Sequence, residues 1–132
     1  MKTTELMIGN IVEIGGEPQQ LRHIARRKVG YCPLGSPNRR YAHISEIKPI
    51  LITEELLLKN GFKNLDKKWF ELRGVKKCTD MFFYYDEQHL PEHWRLLIKN
   101  EEVMNLCTAY ISHLHQLQNL CNIAGVEMEW KV

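Results

Sequence analysis

The chain has 132 residues, 44% of them apolar and 26% charged, with 18 basic against 16 acidic side chains and a formal charge of +2. This is the make-up of one ordinary globular domain. The apolar runs are too short for a membrane-spanning helix, which needs about 20 consecutive apolar residues, and a net charge of +2 is too small to imply a polyanion partner. The N-terminal stretch MKTTELMIGN lacks the apolar run of a signal peptide, so a cytoplasmic location is expected, with no membrane partner. Four cysteines without a CxxC pair, Cys32, Cys78, Cys107 and Cys121, are expected as reduced thiols free of metal.

In chain order, Ile8 to Ile14 predicts a first strand with Val12 and Ile14 on one face, closed by the turn signal Gly15-Gly16. A second strand is expected at Gln20 to Ala25, alternating Leu21, His23 and Ala25 with Arg22 and Ile24, and a third at Lys28 to Cys32. After the loop-forming Pro33 to Asn38, a fourth is expected at Arg40 to Ile44. Four short strands in under fifty residues favour an antiparallel meander or a small, partly closed barrel. Thr53 is a good N-cap, Glu54 and Glu55 suit the first helical turn, and Gly61 suits the C-terminal end, so Thr53 to Asn60 predicts a short helix.

Three further strands are expected at Lys68 to Arg73, Asp80 to Asp86 and Trp94 to Lys99, which are rich in aromatic residues; Asp86 to His93 reads as a polar loop. From Glu101 to Ala124 apolar residues recur at steps of three and four, through Val103, Cys107, Tyr110, Leu114, Leu117 and Cys121. This predicts one long helix, about 36 Å from end to end, with Leu106, Ile111 and Leu120 widening its buried stripe. The alternating VEMEWKV at Val126 to Val132 predicts a last strand that returns to the sheet. The fold class expected is therefore α+β in a single domain, 1–132: an antiparallel meander or small barrel over 1–50, then over 51–132 a short helix, an antiparallel sheet packed on one long C-terminal helix, and a final strand.

Three motifs, IGNIV from Ile8, PILITEELLLKNGF from Pro49 and HQLQNL from His115, resemble those of a family of small uncharacterised proteins of Bacteroidales prophages and mobile elements. The resemblance implies a bacterial or phage cytoplasm and an accessory role, and it carries no catalytic residue, cofactor or ligand. The Pro33 to Arg40 loop and the acidic alternating tail are where this chain departs from the family's form.

No catalytic constellation assembles from the residues. His113 and His115, two apart, would point about 200° from each other on a helix, and Pro91 breaks the helix that a His89/His93 metal pair would need. His115, Gln116, Gln118 and Asn119 suit hydrogen bonds to neighbouring backbone better than a ligand. Gly15-Gly16 lacks a phosphate-loop context, and the adjacent acids Glu54-Glu55, Asp86-Glu87 and Glu101-Glu102 are structural. Charge is uneven: residues 1–50 hold eight basic against four acidic side chains, and residues 51–132 ten against twelve. The candidate surface is therefore Arg22, Arg26, Arg27, Lys28, Arg39 and Arg40, interleaved with Tyr31 and Tyr41. The function expected is that of a non-enzymatic accessory protein that binds a protein partner. The alternative is a nucleic-acid-binding module that uses this basic half, weakly at physiological salt given the small net charge. No cofactor or metal is expected.

Overall fold

The computed structural model describes residues 5–66, 68–76, 78–88, 93–100 and 104–132, with backbone alone for 104–107. It is an α+β chain of mostly antiparallel sheet with two helices. Two compact units divide it: Met1–Leu51 with His113–Asn119, and Ile52–Ser112 with Leu120–Val132.

In the first unit, β1 (Ile11–Ile14) turns into β2 (Glu17–Ile24) through Gly15 and Gly16, both at positive φ, as a two-residue hairpin turn requires. β3 (Lys28–Pro33) and β4 (Arg40–His43) continue the meander, and β5 (Ile47–Lys48) pairs back onto β1, giving the order β4-β3-β2-β1-β5. The two edge strands are joined by three residues, the 3-10 turn Ile44–Glu46. Five strands about 4.8 Å apart would put flat-sheet edges roughly 19 Å from each other, while the four steps from His43 to Ile47 reach about 14 Å at full stretch. The sheet must curl. Inside the curl Leu6, Val12, Ile14, Leu21, Val29, Ala42 and Ile47 form one buried cluster.

The strict alternation expected for the second strand does not hold. The register shifts between Leu21, opposite Tyr31, and His23, opposite Gly30, so that Arg22 is an extra residue. This bulge brings Ile24, rather than His23, back against the core cluster.

In the second unit, α1 (Glu54–Lys59) follows the sequence signals closely. Thr53 Oγ1 accepts from Leu56 N at 3.1 Å, and the chain leaves the helix through Gly61 at φ +87. β6 (Lys63–Asn64), β7 (Trp69–Lys76), β8 (Thr79–Tyr85), β9 (Trp94–Asn100) and β10 (Met104–Ile111) form the antiparallel sheet β10-β9-β8-β7-β6. On its buried face Phe70 and Phe83 meet Trp94 edge to face, and Phe62 meets Phe83 likewise. The Trp94 indole N–H donates to Ile52 O at 3.0 Å, so the ring is satisfied while buried.

The predicted long helix is two elements. Residues 104–111 pair with β9 as a strand, and the helix α2 runs only from Leu114 to Ile123. Its start is fixed by Gln116, whose Oε1 accepts from His113 N at 3.0 Å; this is the reach-back half of a capping box. Of the stripe named for the helix, Val103 lies outside the described residues, as do Glu101 and Glu102, and Leu106 and Cys107 are described by backbone only. The predicted last strand is also absent. Val126 and Trp130 are buried and Glu127, Glu129 and Lys131 exposed, so the alternation is real. Among the described residues the segment joins no ladder, however: Asn60 holds it by donating to Lys131 O and accepting from Lys131 N, each at 2.7 Å.

Cys32 and Cys78 are free thiols, and Cys121 is buried. Leu114 and Leu117 are fully buried and Ile123 is 78% exposed on the same helix. Leu114→Ala or Leu117→Ala is therefore expected to cost about 2–5 kcal/mol in denaturant unfolding, with Ile123→Ala within about 0.5 kcal/mol of the parent. A loss below about 1 kcal/mol at both leucines would contradict this packing.

Candidate functional site

The predicted basic set lies on β2, β3, β4 and the turns between them. Arg22 stands at the bulge, Arg26 and Arg27 in the β2–β3 turn, Lys28 at the start of β3, Arg39 before β4 and Arg40 at its start, all exposed. Strand register decides what they share. Gly30 pairs with Tyr41 and lies opposite His23, and a Cβ at Gly30 would sit 3.0 Å from His23 Cβ, 3.2 Å from the Tyr41 ring and 3.5 Å from Arg39 Cδ. A side chain at position 30 would displace these groups, so the glycine lets Tyr41, His23 and Arg39 close over the backbone of β3. Lys28 Nζ lies 5.5 Å from the Tyr41 ring centroid, within cation–π reach.

Tyr31 does not join them. It pairs with Arg40 on the other face and packs against the core cluster, so the two tyrosines offer no common stacking surface. Tyr41 is 59% exposed. Among the described residues the ion pairs are Arg73–Glu71 at 3.1 Å and Arg73–Asp80 at 3.9 Å; none of the six basic side chains meets a carboxylate.

Gln116, Gln118 and Asn119 of HQLQNL bond to backbone groups as expected, whereas the buried His115 leaves its Nδ1 without a hydrogen-bond partner among the described residues. Gln118 Oε1 accepts from Ile11 N at 2.7 Å, Asn119 Nδ2 donates to Glu5 O at 3.0 Å, and Asn119 Oδ1 accepts from Asn10 Nδ2 at 2.8 Å. His113 precedes the helix instead of lying on it, so it is not turned away from His115 as expected; the two rings stack at 5.9 Å. Among the described residues no group of three or more His, Cys, Asp or Glu is placed to hold a metal ion, and no helix is long and apolar enough to cross a membrane. His89 and Pro91 lie outside the described residues.

A second surface went unread in the sequence. Because cross-strand partners share a face, Trp69, Tyr84, Arg95 and Tyr110 form one row across β7, β8, β9 and β10, and Glu71, Phe82, Leu97 and Thr108 form the next. These are the positions opposite the buried Phe70, Met81, Phe83, Leu96 and Ile98. Trp69 and Tyr84 meet at 4.7 Å with planes tilted by 41°, and with Asp66 and Lys68 they line an open cleft of about 390 Å³. Comparison of the chain with protein-family models, curated proteins and solved structures finds no match.

Burial holds the His115 imidazole below its usual range; neighbouring His113 adds to this and Glu5 opposes it. The ring is 3% exposed and its Nδ1 has no hydrogen-bond partner. A histidine whose pKa is lowered on folding binds its proton more tightly in the unfolded chain. Stability is therefore expected to fall as pH drops through 6.5, and to stop falling on this account once the folded-state pKa is passed. His115→Phe should flatten that part of a urea-unfolding pH profile. An unchanged profile would show that other groups cause the acid loss.

Proposed function

We propose that this chain acts by binding rather than by chemistry, as the accessory protein that the family resemblance implies. Its partner is a protein carrying an acidic surface, and the contact is made through the β2–β3–β4 face of the first unit. One observation carries this reading: Arg26, Arg27, Lys28 and Arg39 stand exposed around Tyr41 on neighbouring strands and turns, with no carboxylate within salt-bridge distance among the described residues, while Arg40 is exposed on the other face, opposite Tyr31. An uncompensated field of this kind steers an oppositely charged surface into contact and fixes its register more than it adds affinity.

Nucleic acid at the same face is the second reading, favoured by the exposed Tyr41 ring with Lys28 beside it. It is the weaker one, since Tyr31 turns to the core and leaves one tyrosine for stacking.

The test is capture of partners on immobilised protein, with and without nuclease, repeated with Arg26→Ala/Arg27→Ala/Lys28→Ala. The expected result is a nuclease-resistant protein that elutes at moderate salt and is retained poorly by the variant. Capture abolished by nuclease but sensitive to the same substitutions would move the assignment to nucleic acid. A protein held equally well by the variant would overturn the proposed face.

A further inference from the structure

We propose that the outer face of the β7–β10 sheet is a second, separate binding surface, a platform for single-stranded nucleic acid. Bases stack on Trp69, Tyr84 and Phe82, and phosphates meet Arg95, Lys99 and Lys68.

The sheet is aromatic on both sides, and the two sides are not equivalent. The inward rings, Phe70, Phe83 and Trp94, are at most 4% exposed and supply a hydrophobic core. The outward rings have no such use, since Trp69 and Tyr110 are each 37% exposed and Tyr84 and Phe82 are half-buried. A face left to solvent needs only Thr, Lys and Glu, and a contiguous aromatic patch at the surface marks an interaction site.

The chemistry around the rings selects the occupant. Lys99 Nζ lies 5.6 Å from the Phe82 centroid, and Arg95 stands in register between Tyr84 and Tyr110, so each cation lies beside a ring. Glu71, across from Phe82, and Asp80, across from Lys99, share this face, and both carboxylates are engaged by Arg73, at 3.1 and 3.9 Å. Asp66 Oδ1 accepts from the backbone N–H groups of Lys68 and Trp69, at 3.0 and 3.1 Å, which fixes the corner where Trp69 begins. Among the described residues Arg95 and Lys99 meet no carboxylate within salt-bridge distance.

Flat rings interleaved with unpaired cations match unpaired bases on a charged backbone. A duplex hides its base faces, and an aliphatic protein surface gains little from Arg95 and Lys99. Four strands span about 14 Å across their three gaps, room for two or three bases. The earlier expectation of weak nucleic-acid binding rested on net charge and on the basic N-terminal half; this surface lies in the other unit and does not depend on that half.

Trp69 is itself the reporter, because the other two tryptophans, Trp94 and Trp130, are 4% and 7% exposed. The full chain is titrated with a short oligothymidylate and oligouridylate, and with a duplex of the same length, while intrinsic fluorescence is followed. Single strands are expected to quench Trp69 and the duplex to do so much less. Tyr84→Ala is expected to weaken binding about five-fold or more. Arg95→Gln or Lys99→Gln is expected to lower the slope of log affinity against log salt by about 0.7 each. In an Arg26→Ala/Arg27→Ala background the effects of the Tyr84, Arg95 and Lys99 substitutions should persist, which separates the surface from the basic face of the first unit. These variants lie on the solvent side, and circular dichroism is the check that each still folds. Absence of quenching by either oligonucleotide up to about 100 μM at low salt, preference for the duplex, or affinity lost only in the Arg26/Arg27 variant would overturn the proposal. So would concentration-dependent self-association that shields Trp69, which would assign the face to a second copy of the chain.

Discussion

The first unit depends on a small set of amide hydrogen bonds that close the chain on itself. β5 covers β1 only at Glu13 and Ile14, so on that side the N–H of Ile11 has no ladder partner, and a buried backbone donor left unpaired is costly. Gln118 supplies the missing acceptor, and its amide nitrogen reaches Gly9 O at 3.3 Å. Asn10 extends the lock: its Oδ1 accepts from Met7 N at 2.8 Å and its Nδ2 donates to Asn119. Leu114 N, at the helix start, donates to Ile50 O at 2.8 Å. A segment more than a hundred residues downstream thus completes the first strand, and Asn10 is buried because each end of its amide is used.

This lock joins two of the three motifs singled out in the sequence, since IGNIV and HQLQNL hold the two halves of one hydrogen-bonded arrangement. The third, PILITEELLLKNGF, is locally sufficient: Thr53, the acids after it and Gly61 define α1 without help from elsewhere. Local signals of that kind were legible, and so were the Gly15-Gly16 hairpin and the strands of the meander. The boundary between 104–111 and 114–123 was not. Its apolar residues fit a helical stripe, and β10 reveals itself only through pairing with β9, which no local pattern contains. The one local clue was Gln116, three residues after His113, a helix-start signal inside what looked like helix. Likewise Val126 to Val132 showed a true alternation of burial but could not show that the amide of Asn60, rather than a neighbouring strand, would satisfy its backbone.

The basic residues were legible as a set but not as a surface. Register turns Tyr31 inward and Tyr41 outward, and the bulge at Arg22 resets the faces of β2, so spacing along the chain could not say which tyrosine would stand among the cations. Gly30 was the unread marker. Its missing side chain lets His23, Tyr41 and Arg39 converge.

The aromatic face of the second unit was hidden for the opposite reason. DMFFYYD is apolar or aromatic at every inner position and reads as a strand buried on both sides. Successive side chains must point to opposite faces, so such a strand in a sheet with one covered face has to put Phe82 and Tyr84 on the other, where they are half-buried. Which face is covered is a tertiary fact. Once it is known, the two units contrast in how they treat an uncovered sheet. The first spends charge and a glycine there, which also keeps an edge strand such as β4 from pairing with other chains. The second places rings there and flanks them with cations, a choice that costs solubility unless something flat and charged covers it. In this chain the departure from a polar uncovered sheet is greatest across Trp69, Tyr84 and Phe82, the rings on which the proposed single-strand surface rests.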